Sequence, residues 1–393
     1  MKPLRVLVTD AETTKALAIV RALGPTTEVW TASHSPAALA AWSRFVRKHL
    51  VHPRDALGTY AGWVLDACRR HRIDGVIAPE EKSSFLLAGH RDAFQAENIL
   101  LAVPELRVLE KAIDKARTIE IARQCGVRTP ATRIVDERRQ VIPAARELGY
   151  PVVIKPRHSQ YWTGSCFIPT DGVRYATSER ELTHALASLP DRIPAPLVQR
   201  FVPGRGVGIC VLLGHDGSPC AEFAHERLRD LRPTGSGSVL RRSIAVDEEL
   251  REASLRLLRE MGWWGVAMVE FRVDESDGRW YLMEINGRFW GSLQLAIDAG
   301  VNFPRLLLDV MRGETVAPPP YQTGVVLRWW LGDLVRALHI LQGRPEGFTG
   351  CYPGRLSWIK ELFGRQPPGT LNQVLRWNDP WPALGEIVSL AWR

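Results

Sequence analysis

The sequence predicts an α/β chain of several domains, and three observations predict it. Short apolar runs alternate with helically spaced apolar residues through the N-terminal part of the chain. A hairpin pattern near the centre, WGVAMVEFRVDESDGRWYLMEINGRFWG, carries one carboxylate within each apolar strand. A lysine, Lys155, closes the apolar run Val152-Val153-Ile154. With 393 residues, 45% of them apolar, the chain is long enough for two or three cores.

In order, Leu4 to Val8 reads as a strand and Thr14 to Leu23 as a helix, with Ala16, Leu17 and Val20 on one face. Glu28 to Ala32 is a second strand, Tyr60 to His71 a helix, and Ile73 to Pro79 and Leu100 to Val103 further strands. That series is typical of a parallel sheet covered by helices. The first turn, Thr9-Asp10-Ala11-Glu12-Thr13, lacks the glycine pattern of a dinucleotide site. Glu80 and Glu81 are expected as helix-capping or solvent-facing groups, with a cleft role as the alternative.

From Glu105 a helix containing Asp114-Lys115 is expected to run to Gly126, followed by the strand ending at Lys155. A lysine is rarely buried without a partner, so at the end of an apolar strand it suits a bound anion. Next come a loop at 157–165, a helix Glu179 to Leu189, a proline-rich passage Pro190 to Pro196 and a strand Leu197 to Val202. Val207 to Leu213 and Cys220 to His225 read as a hairpin, and 225–242 as a basic, glycine-containing flexible segment. A helix Glu248 to Met261 precedes the central pair, Val266 to Val273 and Trp280 to Ile285, joined through Asp277-Gly278.

Glu270 and Glu284 are costly inside apolar strands unless a cation or donor meets them. Side chains alternate along a strand, so Glu284, Asn286 and Arg288 share a face if the extended conformation continues. Two carboxylates and an amide suit magnesium, a hard cation that completes its shell with phosphate oxygens and water. An arginine beside them suits a phosphate or a developing negative charge. A salt-bridged structural hairpin is the plainer alternative.

Glu270 followed by Glu284-Ile285-Asn286-Gly287-Arg288 resembles the magnesium-binding end of the ATP-grasp family. The resemblance covers Glu105 to about Gly313 and implies an ATP-grasp fold. The chain would then divide into an N-terminal Rossmann-like domain (1–110), a lysine-bearing subdomain (111–198), a metal-binding subdomain (199–315) and a small Trp-rich C-terminal extension (316–393). It implies ATP with Mg2+, or Mn2+ in its place, as cofactors, with Glu270, Glu284 and Asn286 on the metal. Lys115 and Lys155 would reach the phosphates, with Gly164 and Ser165 as weaker phosphate contacts. Gln199, Arg200, Phe201 and Val202 would form the hinge that reads adenine. Arg288, Arg229 and Arg241 would hold a substrate carboxylate. The loop after Lys155 departs from the family pattern, having one glycine and the bulky Tyr161 and Trp162.

The implied reaction is ADP-forming ligation: a carboxylate becomes an acyl phosphate and an amine displaces phosphate. Alternatives are a bicarbonate-using enzyme of the carboxylase or carbamoyl-phosphate type and a non-catalytic ATP-binding protein. The formal charge of +8 fits a protein that handles anions. Its arginines are scattered and no nucleic-acid motif is present, so no nucleic-acid partner is expected. The six cysteines show no CxxC pair, and no apolar run is long enough to span a bilayer, so a cytoplasmic protein is expected, with homodimerisation open. The tail's Trp329, Trp330, Trp358, Trp377, Trp381 and Trp392 are expected to pack against the main body, with WNDPW a turn.

Overall fold

The computed structural model describes residues 3–54, 57–170, 172–189 and 193–390; Pro190 and Trp392 fall outside them. Thr13 caps helix Thr14–Leu23 by accepting from the Ala16 amide. Its apolar face closes over a parallel sheet of strands Val46–Val51, Glu28–Ser33, Arg5–Val8, Gly75–Ile77 and Leu100–Leu101, in that spatial order. The edge strand Val46–Val51 escapes sequence reading because Arg47, Lys48 and His49 break any apolar run.

Asp114 ends one helix and starts the next. The expected continuous helix is therefore two, Leu106–Ile113 and Lys115–Gln124, with the Asp114 carboxylate accepting from the Ala116 amide. A four-stranded antiparallel sheet follows, ordered Arg174–Ala176, Val152–Lys155, Leu197–Arg200 and Thr132–Arg133.

The largest sheet has seven strands, ordered Trp280–Asn286, Gly265–Val273, Arg205–Leu213, Pro219–Asp230, Ser238–Ile244, Val326–Arg328 and Leu371–Asn372. The expected flexible segment 225–242 is thus largely two long paired strands, with a turn only at 231–237. Four of its arginines, Arg227, Arg229, Arg241 and Arg242, hid the pattern because each meets a carboxylate or carbonyl in the folded protein. The C-terminal residues also enter this sheet, Leu240–Arg242 pairing with Val326–Arg328.

Helix Glu248–Met261 is capped by Asp247 and buries Leu250, Leu255, Leu257 and Leu258. One continuous apolar core joins these residues and Trp263 to Leu87 and Ile99 of the N-terminal sheet layer. The N-terminal layer and the large sheet are therefore packed together. The cleft between the two antiparallel sheets lies beside that shared core.

The tail is only partly packed. Trp329 lies against the core and donates from Nε1 to Glu386 at 2.7 Å, whereas Trp377 is 94% and Trp381 60% exposed. Trp330 is also exposed and Trp358 half-buried, which corrects the expectation of general tryptophan packing. Apolarity alone does not bury a ring when its helix docks by another face. Within WNDPW, Asp379 is the anchor: fully buried, it accepts from Arg21 Nε at 2.9 Å and Ser43 Oγ at 2.8 Å.

Candidate active site

The central hairpin pairs Glu270 opposite Glu284 and Met268 opposite Asn286. Opposed residues of an antiparallel pair share a face, so both carboxylates and the amide lie on one side of the sheet. Gly287 lets the chain turn tightly past Trp263: a Cβ there would lie 2.3 Å from the indole ring. Asn286 and Arg288 are thereby held on either side of a residue that must remain small.

Two lysines reach this face, one from a helix start and one from the four-stranded sheet. Lys115, at the helix start set by Asp114, lies 3.9 Å from Glu284 Oε2 and donates to Ser159 Oγ at 3.3 Å. Asp114 is itself gripped by Arg157 at 2.8 Å, so the helix start is tied to the strand end beyond Lys155. Lys155 projects into the cleft, its Nζ 3.9 Å from Met283 Sδ. Burial lowers its ammonium to about 8, with Glu284 partly opposing that shift.

The two carboxylates differ. Burial raises Glu270, although Arg227 forms an ion pair with it and opposes the rise. Burial also acts on Glu284, but Lys115 and Lys155 outweigh it and hold that carboxyl below its ordinary value. Local pattern does not mark Arg227, because it lies in a basic, glycine-containing segment whose strand alternation is masked by its arginines.

The cleft, about 160 Å³, is lined by Lys155, Gln199, Arg200, Phe201, Val202, Arg227, Glu270 and Glu284, with Thr234 to Gly237 closing one side. Four expected hinge residues therefore line it together. Gln199 is committed through its side chain, which donates to Thr132 Oγ1 at 2.9 Å.

Other expected residues are placed elsewhere. Arg229 is not among the cleft-lining residues; it meets Asp333 at 2.7 Å and Glu361 at 3.8 Å in the C-terminal segment. Arg241 is 1% exposed and donates to the Ser238 and Gly291 carbonyls, so it lies under the site without an open face. Burial and the nearby Arg227 lower it to about 9. Gly164 and Ser165 form the exposed turn of a hairpin, Gln160–Trp162 with Phe167–Pro169. That hairpin leans on the N-terminal layer, Trp162 and Phe167 lying 6.4 and 6.0 Å from Phe85.

Arg288 donates from Nη1 to the Phe289 carbonyl at 3.0 Å, and its buried Nε has no partner among the described residues. Its charge reaches the N-terminal layer. Glu80, where burial alone would raise the carboxyl, is held low by Lys15, 2.5 Å away, and by Arg288. Glu80 is thus an ion-pair partner beside the site, not a side-chain helix cap.

A family model described as "ATP-grasp in the biosynthetic pathway with Ter operon" matches residues 193–332. The D-alanine--D-alanine ligase of Pseudomonas entomophila (strain L48) is 27% identical over 217 residues, covering 51% of this chain and 64% of the ligase. The chain thus spans less than two-thirds of that relative. The biotin carboxylase domain of Hydrogenobacter thermophilus 2-oxoglutarate carboxylase, solved with MgADP and bicarbonate, superposes with a TM-score of 0.66 at 18% identity, covering 82% of this chain and 73% of that one. N5-carboxyaminoimidazole synthetase from Staphylococcus aureus gives 0.65 at 14% identity, covering 87% and 86%. The paired strands that carry Glu270 and Glu284 fall inside the region matched by the ATP-grasp model, and the chain shares its fold with these solved structures.

Proposed function

We propose that this protein is an ATP- and magnesium-dependent ligase that joins a carboxylic acid to an amine and releases ADP and phosphate. The observation that carries this reading is the opposition of Glu270 and Glu284 across the hairpin, with Lys115 and Lys155 directed at the same face. Glu270, Glu284 and Asn286 form an all-oxygen donor set that fits magnesium, with manganese able to replace it. When bound, the metal supplies charge neutralisation to the phosphates.

Lys115 and Lys155 hold phosphate oxygens, and Phe201 and Val202 face the base from the hinge. Arg288 orients the substrate carboxylate. The carboxylate oxygen attacks the terminal phosphorus, and the bond to ADP breaks. The amine nitrogen then attacks the acyl carbon, phosphate leaves with the carbon–oxygen bonding pair, and the amine proton passes to solvent. Alignment and charge balance suffice for phosphoryl transfer, so no nucleophilic side chain is required. Arg227 serves this reaction by positioning Glu270 rather than by touching substrate.

The protein is further read as a cytoplasmic enzyme of small molecules, able to act as a homodimer. No helix among the described residues is long and apolar enough to cross a membrane. The test is magnesium-dependent ADP release against pooled acids and amines, with mass spectrometry of the products. A product mass equal to acid plus amine minus water is expected. ADP release that requires bicarbonate and no other acid would overturn the reading.

A further inference from the structure

A ring from the C-terminal segment sits behind the wall of the nucleotide cleft. Phe348 is 7% exposed and stands edge-on to two rings that line the cleft, Tyr175 at 4.9 Å and 74° and Phe201 at 5.8 Å and 86°. Tyr175 and Phe201 also meet each other at 5.9 Å and 78°. Near-perpendicular arrangements at these distances are attractive beyond the area they bury. Phe348 itself does not line the cleft.

The three rings join parts of the chain that have no sequence proximity. Tyr175 belongs to the edge strand of the four-stranded sheet, and Phe201 follows Leu197–Arg200, which lies on the other side of Val152–Lys155 in that sheet. The Tyr175 hydroxyl donates to the Thr234 carbonyl at 3.0 Å, in the turn that closes the cleft from the seven-stranded sheet. Phe348 thereby braces both halves through one tyrosine.

The segment bearing Phe348 is built to lie close. Gly347 has φ +72°, and a Cβ there would stand 2.3 Å from the Tyr175 carbonyl oxygen. Arg344 donates to the Phe348 carbonyl at 2.7 Å, and its guanidinium lies 5.9 Å from the Phe348 ring centroid. Both contacts hold the ring against the two cleft residues.

We infer that Phe348 is a positioning residue through which the C-terminal segment sets nucleotide affinity, by holding Tyr175 and Phe201 in the shape that receives the base. The inference rests on the reading of this cleft as the nucleotide site. Without the ring, Tyr175 and Phe201 lose their shared edge contact and the cleft wall is free to relax. The lysines and carboxylates at the phosphate end keep their partners.

The experiment is calorimetric titration of the full chain with MgADP, which reports Kd and stoichiometry separately. Phe348→Ala is expected to raise Kd about tenfold with stoichiometry unchanged, and Phe348→Leu, which restores apolar volume, about two- to threefold. Trp381→Ala, an exposed ring elsewhere in the same segment, is expected to bind as the parent does. A general structural defect would lower stoichiometry while leaving Kd of the folded fraction unchanged. If Phe348→Ala does not fold, the leucine variant decides. A parent-like Kd in the folded Phe348 variant overturns the inference, whereas an unmodified protein that binds no MgADP overturns the nucleotide reading itself.

Discussion

Arg227 and Glu270 form an ion pair across an intervening strand. Their strands, Pro219–Asp230 and Gly265–Val273, are separated by Arg205–Leu213. The crossing needs space on the middle strand. Gly206 supplies it, since a Cβ there would lie 3.0 Å from Arg227 Cδ. Arg227 and Glu270 are both recessed, with side chains 11% and 13% exposed, so the pair is shielded from solvent.

Removing one member of such a pair strands the other. Arg227→Ala is expected to destabilise the fold by about 3 kcal/mol, in the range for breaking a buried ion pair. Urea denaturation followed by tryptophan fluorescence measures it. A change below about 0.5 kcal/mol, the level of ordinary surface substitutions, would show that the pair is solvated in solution.

Glu284→Gln keeps the shape of the hairpin and removes one carboxylate from the proposed metal site. Turnover is expected to fall at least about a thousandfold, while the unfolding midpoint stays near that of the parent. Magnesium-dependent ADP release at matched protein concentration tests this. Activity within about tenfold of the parent would remove Glu284 from the metal set.

As a phosphate contact of the proposed site, Lys155 is expected to make nucleotide binding pH-dependent. Burial lowers its ammonium to about 8, so in the unliganded protein the positive charge is present below that pH and lost above it. The Kd for ATP is therefore expected to rise above about pH 8, approaching tenfold per pH unit. Lys155→Arg, whose charge persists, is expected to flatten that rise. A parallel rise in the arginine variant would assign the titration to another group.

Asp379 ties the C-terminal segment to the N-terminal layer by accepting from Arg21 and Ser43. Burial lowers the Arg21 guanidinium and Asp379 only partly opposes that, so Asp379→Ala leaves a recessed cation without its hydrogen-bonded counter-charge. A loss of about 3 kcal/mol is expected, read as a lower unfolding midpoint. Trp377→Ala, two residues earlier and 94% exposed, is expected to change stability by less than about 0.5 kcal/mol.

Much of the architecture is legible in local pattern. Helices Thr14–Leu23 and Glu248–Met261 have the bounds their apolar spacing predicts, because each carries a capping residue immediately before its first turn. The hairpin of Glu270 and Glu284 is similarly marked by alternation and an Asp-Gly turn. Edge strand Val46–Val51, the second half of strand Pro219–Asp230 and its partner Ser238–Ile244 are not, since polar residues interrupt their apolar pattern and the strands are defined by pairing in the assembled sheets.

By itself the sequence determined the α/β class, the acidic hairpin and the lysine at the end of a buried strand, all properties of residues near one another in the chain. Only the tertiary structure decided which cations meet which carboxylates. Arg227 and Arg229 are two residues apart, yet a register irregularity in their strand accompanies their separation to Glu270 and Asp333. Phe348 reaches Tyr175 and Phe201 across long stretches of chain for the same reason. Period and propensity are local, whereas the partner of a buried charge or ring is chosen by strand order, register and the space that residues such as Gly206 and Gly347 leave open.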